Sequence, residues 1–240
     1  MTDAIKARLY VTDVLSAGGS VTLAEDPAHY LRHVLRLAPG DAVALFNGRD
    51  GEFRAVIAEA SKKTCRLDIE AGLRPFQAAP DVWLCFAPIR QGRIEMIVEK
   101  ATELGTGRLL PVITRRTQMQ KVNTGRLAAH AREAAEQCER LDVPEVAAPV
   151  TLEKLLQDWP QDRRLLVCAE RSDTQSLLSV AAGTGPCALL IGPEGGFTPE
   201  ELTQIMALPQ AVTVSLGPRI LRAETAAIAA LAILQSARQN

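Results

Sequence analysis

LLIGPEGGFTPEE, Leu189 to Glu201, is the stretch on which the reading of this chain turns. It completes the run CALLIG (187–192), a short unbroken apolar segment of the kind that forms a central parallel strand. Gly192, Gly195 and Gly196 then let the backbone bend and let another group come close. Thr198 has the chemistry of an N-cap, Pro199 suits the first helical position, and Glu201 three residues on completes a capping box. The order is strand, tight turn, helix. Neither GxxxxGK[ST] nor GxGxxG is present, so the turn is neither a Walker loop nor a dinucleotide fingerprint. It contains no basic residue, and Glu194 would repel an anion. Spacing alone leaves two readings open. One is a plain strand-to-helix turn; the other is a loop whose backbone holds a neutral or cationic ligand.

The same grammar extends on both sides, from Asp81 to the end of the chain. Strand-like runs DVWLCFAP (81–88), RLLPVIT (108–114), RRLLVCAE (163–170), CALLIG and AVTVSLG (211–217) alternate with helical segments. The helices are expected at 93–105, 125–141, 151–159, 198–208 and 222–238. This pattern predicts an α/β layer around a mostly parallel sheet. Ligands of such sheets bind at the carboxyl ends of the strands. A second such end, expected beside the first, is VSLGPRILRAETAAIAAL (214–231). Ile220 and Leu221 are large and apolar within a connection, where polar residues are usual. They either plug the core beneath the loop or line an apolar pocket for a flat ring. Arg219 and Arg222 flank them and would reach a polyanion or polarise a substrate oxygen.

Residues 1–73 are organised differently. RLYVTDVL (8–15) and SVTL (20–23) are candidate strands. DPAHYLRHVLRL (26–37) reads as a short helix with Asp26 as cap and Pro27 in its first turn. DAVALFNGRDGEFRAVIAEA (41–60) is a hairpin about NGRDG, and TCRLDIEAGL (64–73) adds a further strand. Short, dense strands suggest a small barrel. RPFQAAP (74–80) reads as a linker, which leaves residues 81–240 as the second domain.

Composition narrows the function. Apolar residues make up 47% of the 240, enough for a real core, and the formal net charge of −1 supplies no bulk cationic field. The charge is uneven, however: between Arg90 and Arg140 ten Lys/Arg face six acids. No apolar run approaches the ~20 residues of a membrane span. MTDAIKARLYVTD lacks the apolar core of a signal peptide, so a cytoplasmic location is expected. The five cysteines form no CxxC pair, which argues against a disulfide framework and a zinc site. Cys85, Cys168 and Cys187 read as small buried hydrophobes. His29 and His33 stand at i,i+4 but have no third ligand in view, so no metal is expected.

LLIGPEGGFTPEE followed by VSLGPRILRAETAAIAAL resembles the signature of the bacterial 16S ribosomal RNA uracil-N3 methyltransferases (RsmE-like), of the SPOUT class. HYLRHVLRLAPGD (29–41) with FNGRDGEFRAVI (46–57) is similar to that family's N-terminal domain. EMIVEKATELG (95–105), PVITRR (111–116) and AAEQCERLDVPEV (134–146) are similar to the start of its catalytic domain. The resemblance implies a PUA-like RNA-binding barrel and an α/β methyltransferase domain threaded into a trefoil knot. It also implies S-adenosylmethionine as methyl donor, a homodimer, and a role in rRNA processing and ribosome biogenesis. The implied substrate is N3 of a uridine in the decoding region of the small ribosomal subunit. The family's cofactor contacts fall here on Leu190, Gly192, Glu194, Gly195, Gly196, Leu216, Gly217, Ile220, Leu221 and Arg222. Thr225 and Ala226 would close the pocket, and Glu170 would lie beside it. One departure is RRTQMQ (115–120), where the family more often carries ERS. It puts the details of a substrate loop in question.

The chemistry follows from uracil. N3 is a poor nucleophile until its proton is lost and the resulting charge is stabilised. Arg222 or Arg219 is the expected stabiliser, and Glu224 a candidate proton acceptor, although an acid in the first turn of a helix is commonly structural. RNA needs phosphate contacts, for which Arg90, Arg93, Arg115 and Arg116 are candidates, with Arg8, Arg32 and Arg36 in the small domain. Three rival readings remain: a non-catalytic RNA-binding or ribosome-assembly protein, a nucleotide-binding Rossmann-like enzyme, and a SPOUT methyltransferase acting on a ribose hydroxyl or another RNA position.

Overall fold

In a computed structural model the described residues are 4–61, 63–169, 174–183 and 185–238. They divide into two compact units. One comprises residues 1–78 with 135–143, the other residues 79–134 with 144–240.

The first unit holds a five-stranded sheet. Strands β1 (Arg8–Tyr10), β2 (Ser20–Leu23), β3 (Ala42–Phe46), β4 (Glu52–Ala60) and β5 (Cys65–Arg74) take the order β1-β3-β4-β5-β2. The β3–β4 hairpin forms around NGRDG as expected, with Ala44 opposite Arg54 and Phe46 opposite Glu52. Alternation along β4 and β5 puts Ala55, Ile57, Cys65, Leu67 and Ile69 into one core with Leu31 and Leu45. Helix α1 (Glu25–His29), continued by a π turn through Val34, begins one residue earlier than expected. Its N-cap is Ala24 rather than Asp26, and Asp26 makes no capping bond. It also ends before the Pro39–Gly40 pair. Arg36 adopts φ +56°, and Leu37 N–H reaches back to Leu31 O at 2.9 Å, which closes the helix by a left-handed turn.

Two boundaries depart from the sequence reading. The expected linker 74–80 starts inside β5. An added Cβ at Gly51 would lie 2.4 Å from Arg74 O and 3.0 Å from Phe76 N, so this stretch packs on the hairpin turn. Residues 135–143, expected in the second domain, belong to the first unit. The reason is local: Ala135 and Leu141 pack with Phe46, and Tyr10 N–H donates to Glu136 at 2.9 Å.

The second unit is built on parallel strands β6 (Val82–Phe86), β7 (Arg108–Ile113), β8 (Glu145–Val146), β9 (Val150–Thr151), β10 (Arg164–Cys168), β11 (Cys187–Ile191) and β12 (Ala211–Val214). Their order is β12-β10-β11-β6-β7-β8, with β9 also on β7. The helices are α2 (Arg93–Glu103), α3 (Thr124–Gln137), α4 (Leu152–Gln157), α5 (Leu177–Val180), α6 (Pro199–Met206) and α7 (Ala223–Arg238). β11 is buried at every position, as its unbroken apolar run requires. The sequence reading missed α5 and the two-residue strands β8 and β9. It also took the strands carrying the two glycine loops as neighbours. They are not, because β10 lies between β11 and β12 and pairs with both.

Candidate active site

At one level of the sheet Cys168 stands opposite Ile191 on one side and Val214 on the other. These three strand ends form the floor of a pocket of about 670 Å³. That volume lies in the range of small-molecule sites. Its walls are the loop after β11 (Gly192–Phe197) and the loop after β12 (Ser215–Leu221), with Ala223 and Ala226 of α7.

Glycine shapes both walls. Gly196 has φ +66° and Gly217 φ +111°, backbone that L side chains rarely adopt. At Gly192 a Cβ would lie 3.0 Å from the buried Phe197 ring. Thr198 and Glu201 form the expected capping box of α6. Thr198 N–H donates to Glu201 Oε2 at 2.8 Å, and Glu201 N–H to Thr198 Oγ1 at 3.3 Å. The second wall is fixed differently. Ser215 N–H donates to Gln175 O at 2.9 Å and Leu177 N–H to Ser215 O at 3.0 Å. The loop after β12 is thereby laid against the segment that follows β10.

Of the expected cofactor contacts, Gly192, Glu194, Gly195, Gly196, Leu216, Gly217, Ile220, Leu221 and Ala226 line the pocket. Ile220 is 56% exposed, so it sits on the rim and does not plug the core. Leu190 does not line it. Strand alternation turns Leu190 into the core against Cys85 and Val167, and its neighbour Ile191 faces the pocket instead. Arg222 and Thr225 are exposed and lie off the lining, and Glu170 falls outside the described residues. Cys168, Ala169, Thr174 and Arg116 line the pocket without having been expected there. The first two follow from the strand order, which a reading of single loops does not supply.

The charged residues sort by burial. Arg219, Glu194 and Arg116 are exposed residues of the lining. Glu224 is 9% exposed and turns toward α2, where one carboxylate oxygen lies 3.5 Å from Arg93 Nη1. It is not part of the pocket wall; one oxygen takes part in a helix–helix ion pair, and the other, Oε2, is buried without a hydrogen-bond partner among the described residues. Arg8, expected on RNA phosphate, is a buried brace of the first unit. Its side chain is 10% exposed, pairs with Glu52, donates to the carbonyls of Ala135 (2.9 Å) and Arg140 (2.8 Å), and lies 4.2 Å from the Phe46 ring centroid. Arg90, Arg36 and Arg115 remain exposed, while Arg93 and Arg32 are half-buried. The His29 and His33 rings stack at 4.6 Å on an exposed helix face. Among the described residues no group of three or more His, Cys, Asp or Glu is placed to hold a metal.

Burial pushes the Cys85 and Cys168 thiols up to about 12 and raises Cys187 as well. Cys168 is partly exposed as a residue and lines the pocket, but its thiol behaves as a buried hydrophobe.

These features find their counterparts in known proteins. The RNA methyltransferase domain family matches residues 77–235, and the RNA methyltransferase PUA domain family residues 23–70. Ribosomal RNA small subunit methyltransferase E of Rickettsia conorii is 34% identical over 94% of this chain and 93% of its own length. The structure of ribosomal RNA small subunit methyltransferase E from Neisseria gonorrhoeae, bound to S-adenosyl methionine, superposes with a TM-score of 0.89. It is 28% identical and covers 97% of this chain and 98% of its own. A Legionella pneumophila chain solved with the bound cofactor SAM gives a TM-score of 0.90 at 30% identity, covering 98% and 99%. The fold is thus a PUA-like domain followed by an α/β methyltransferase domain with the trefoil knot of the SPOUT class. The chain belongs to the ribosomal RNA small subunit methyltransferase E family.

Proposed function

We propose that this chain methylates N3 of a uridine in the decoding region of 16S ribosomal RNA, with S-adenosylmethionine bound in the pocket between the loops after β11 and β12. The observation that carries the reading is that pocket. Two glycine-bent loops enclose a floor of Cys168, Ile191 and Val214, and apolar Leu216, Ile220 and Leu221 supply a wall for a flat neutral ring. The lysine that a phosphate chain calls for is absent from both loops. The residues therefore fit an adenosyl group and a sulfonium better than a nucleotide polyphosphate.

When bound, S-adenosylmethionine supplies an electrophilic methyl group on a cationic sulfur. The protein's part is to bind, orient and stabilise. Backbone groups of Gly192–Gly196 and Leu216–Gly217 hold the polar edges of the adenosyl group. Arg219, on the wall, stabilises negative charge on a uracil carbonyl oxygen as the N3 proton is lost, with Arg222 just outside the lining as its alternative. The rim is exposed at Glu194 and Ile220, so the proton leaves to solvent. Arg32, Arg36, Arg90, Arg93 and Arg115 are the proposed phosphate contacts. A homodimer completes the reading, favoured by the run of small residues along α7. A cytoplasmic location belongs to the same reading.

Mapping modified nucleotides in RNA from a deletion strain tests the substrate. Loss of a single N3-methyluridine in 16S RNA is expected. A lost ribose methylation, or an unchanged map, overturns the assignment. Single-turnover transfer by Arg219→Ala and Arg222→Ala tests the stabiliser, with cofactor binding measured separately. Near-normal rates in both exclude that role. RNA binding should weaken steeply with salt, and a flat response excludes direct phosphate contact.

A further inference from the structure

Arg116 lies in the stretch RRTQMQ and was expected on RNA. Its placement points elsewhere. Nη1 donates to Gly195 O at 2.6 Å and to Phe197 O at 3.4 Å. Its aliphatic stem runs over Gly195, where an added Cβ would come within 3.3 Å of Arg116 Cδ. We propose that Arg116 is a positioning residue for S-adenosylmethionine, locking the loop after β11 in its binding conformation. The inference rests on the reading of this pocket as the cofactor site.

The argument is one of peptide planes. The peptide joining Gly195 to Gly196 is held at both ends, because its carbonyl accepts from Arg116 and its N–H donates to Pro193 O at 2.8 Å. The peptide joining Phe197 to Thr198 is also held at both ends, by Arg116 on its carbonyl and Glu201 on its N–H. A glycine-rich loop has many conformations of similar energy. Fixing two of its peptide planes removes most of that freedom before a ligand arrives, which is preorganisation. The brace itself is rigid. Thr114 and Thr117 are buried and close a turn, with Thr114 N–H to Thr117 Oγ1 at 2.9 Å and Thr117 N–H to Thr114 O at 3.1 Å. Arg115 N–H donates to Glu201 Oε1 at 2.8 Å, and Glu201 is 1% exposed. Glu201 therefore ties the turn after β7 to the start of α6, and Arg116 reaches from that turn across the loop between.

Calorimetry with S-adenosylmethionine on wild type, Arg116→Ala and Arg116→Lys, together with steady-state methylation of 16S-containing RNA, tests this. Arg116→Ala should raise both the cofactor Kd and its KM about tenfold. At saturating cofactor, kcat should stay within about threefold of wild type, because the loop is then ordered by the ligand. Arg116→Lys keeps one donor but not the fork, and should recover part of the loss. Far-UV circular dichroism and thermal melts confirm folding, and the exposed position of Arg116 favours it. An unchanged cofactor Kd in Arg116→Ala overturns the proposal. So does weaker RNA binding with a shallower salt slope at unchanged cofactor Kd, which restores the phosphate role. Wild-type protein that binds no S-adenosylmethionine overturns the pocket assignment instead, and the positioning role with it.

Discussion

The two ends of the parallel sheet carry arginines in opposite ways. At the amino ends of the strands Arg163 is 6% exposed and bonded through both terminal nitrogens. It donates to Asp81 Oδ2 at 2.7 Å and to Cys187 O at 3.2 Å, and it lies 3.8 Å from the Trp83 ring centroid. Arg108 approaches the same ring at 4.6 Å, and Trp159 meets it edge-on at 6.2 Å while donating its indole N–H to Arg163 O. At the carboxyl ends the two loops that wall the pocket carry one aromatic, Phe197, and glycines replace bulk. Arg116 and Arg219 there stay exposed. One end is closed by packing and the other is held open by its absence. An arginine at the first end should therefore register in stability, and a residue at the second in ligand affinity.

The largest effect should come from filling the open end. Gly192→Val places a Cβ 3.0 Å from the buried Phe197 ring, so that the ring or the loop must shift. Cofactor affinity should drop roughly 100-fold, measured by calorimetry, with the melting temperature shifted by only a few degrees. A variant that still binds within about threefold of wild type would break the contrast at this end.

The closed end gives the next effect. Arg163→Ala removes a buried guanidinium and leaves the Cys187 carbonyl and Asp81 without their donor. Asp81 is half exposed and can be rehydrated, so a loss of about 2 kcal/mol is expected rather than the full cost of breaking a buried pair. Chemical denaturation measures it. The cofactor Kd of the folded variant should match wild type. A weaker Kd at unchanged stability would mean that the two ends are coupled through the sheet.

How much of this was legible in sequence depended on whether the deciding contact was local. The loop after β11 was readable because turn, cap and helix start are written within thirteen residues, Leu189 to Glu201. The floor was not. Cys168 reaches the pocket only because β10 inserts between β11 and β12, and strand order is decided by pairing between segments far apart in the chain. Arginines were the hardest to place. Arg8, Arg116 and Arg219 look alike as letters, yet one is a buried brace, one a loop brace and one an exposed wall. What separates them is the partner carbonyls at 127 to 132 residues' distance for Arg8 and 79 to 81 for Arg116. No periodicity encodes such pairings. Leu190 stands off the lining for a simpler reason: inside a strand, a shift of one residue changes the face.

The first unit extends the contrast with a pH signature. Burial alone would raise the Glu52 carboxyl, but hydrogen bonds from Arg74 and Arg8 outweigh it and hold the group below the usual glutamate range. A carboxylate with a depressed folded pKa contributes stability above its unfolded pKa and loses it as pH falls through the folded value. Acid unfolding should therefore set in below the ordinary glutamate range. Glu52→Gln should flatten that part of the stability–pH curve while lowering stability near neutrality. An unchanged acid limb would remove Arg8 from the class of buried braces. The effect should be smaller than that of Arg163→Ala, since Arg74 is substantially exposed.

The smallest effect is expected at the pocket floor, where a thiol borders the reacting space. A cysteine in a methyltransferase pocket invites the reading of a nucleophile. Its environment argues otherwise. Burial pushes the Cys168 thiol up to about 12, with no cation among the causes to pull it down. Such a thiol stays protonated at pH 8, and the thiolate is the reactive form. Cys168 also sits in register with Ile191 and Val214 at the strand ends that form the floor, with its thiol buried. Cys168→Ala should leave the single-turnover rate within about threefold of wild type and remove only packing, on the order of 1 kcal/mol. Iodoacetamide at pH 8 should spare Cys168, whose thiol burial holds protonated. A rate loss of a hundredfold or more in a folded Cys168→Ala variant would move Cys168 from floor to chemistry, and the carboxyl end would then owe its function to more than open space.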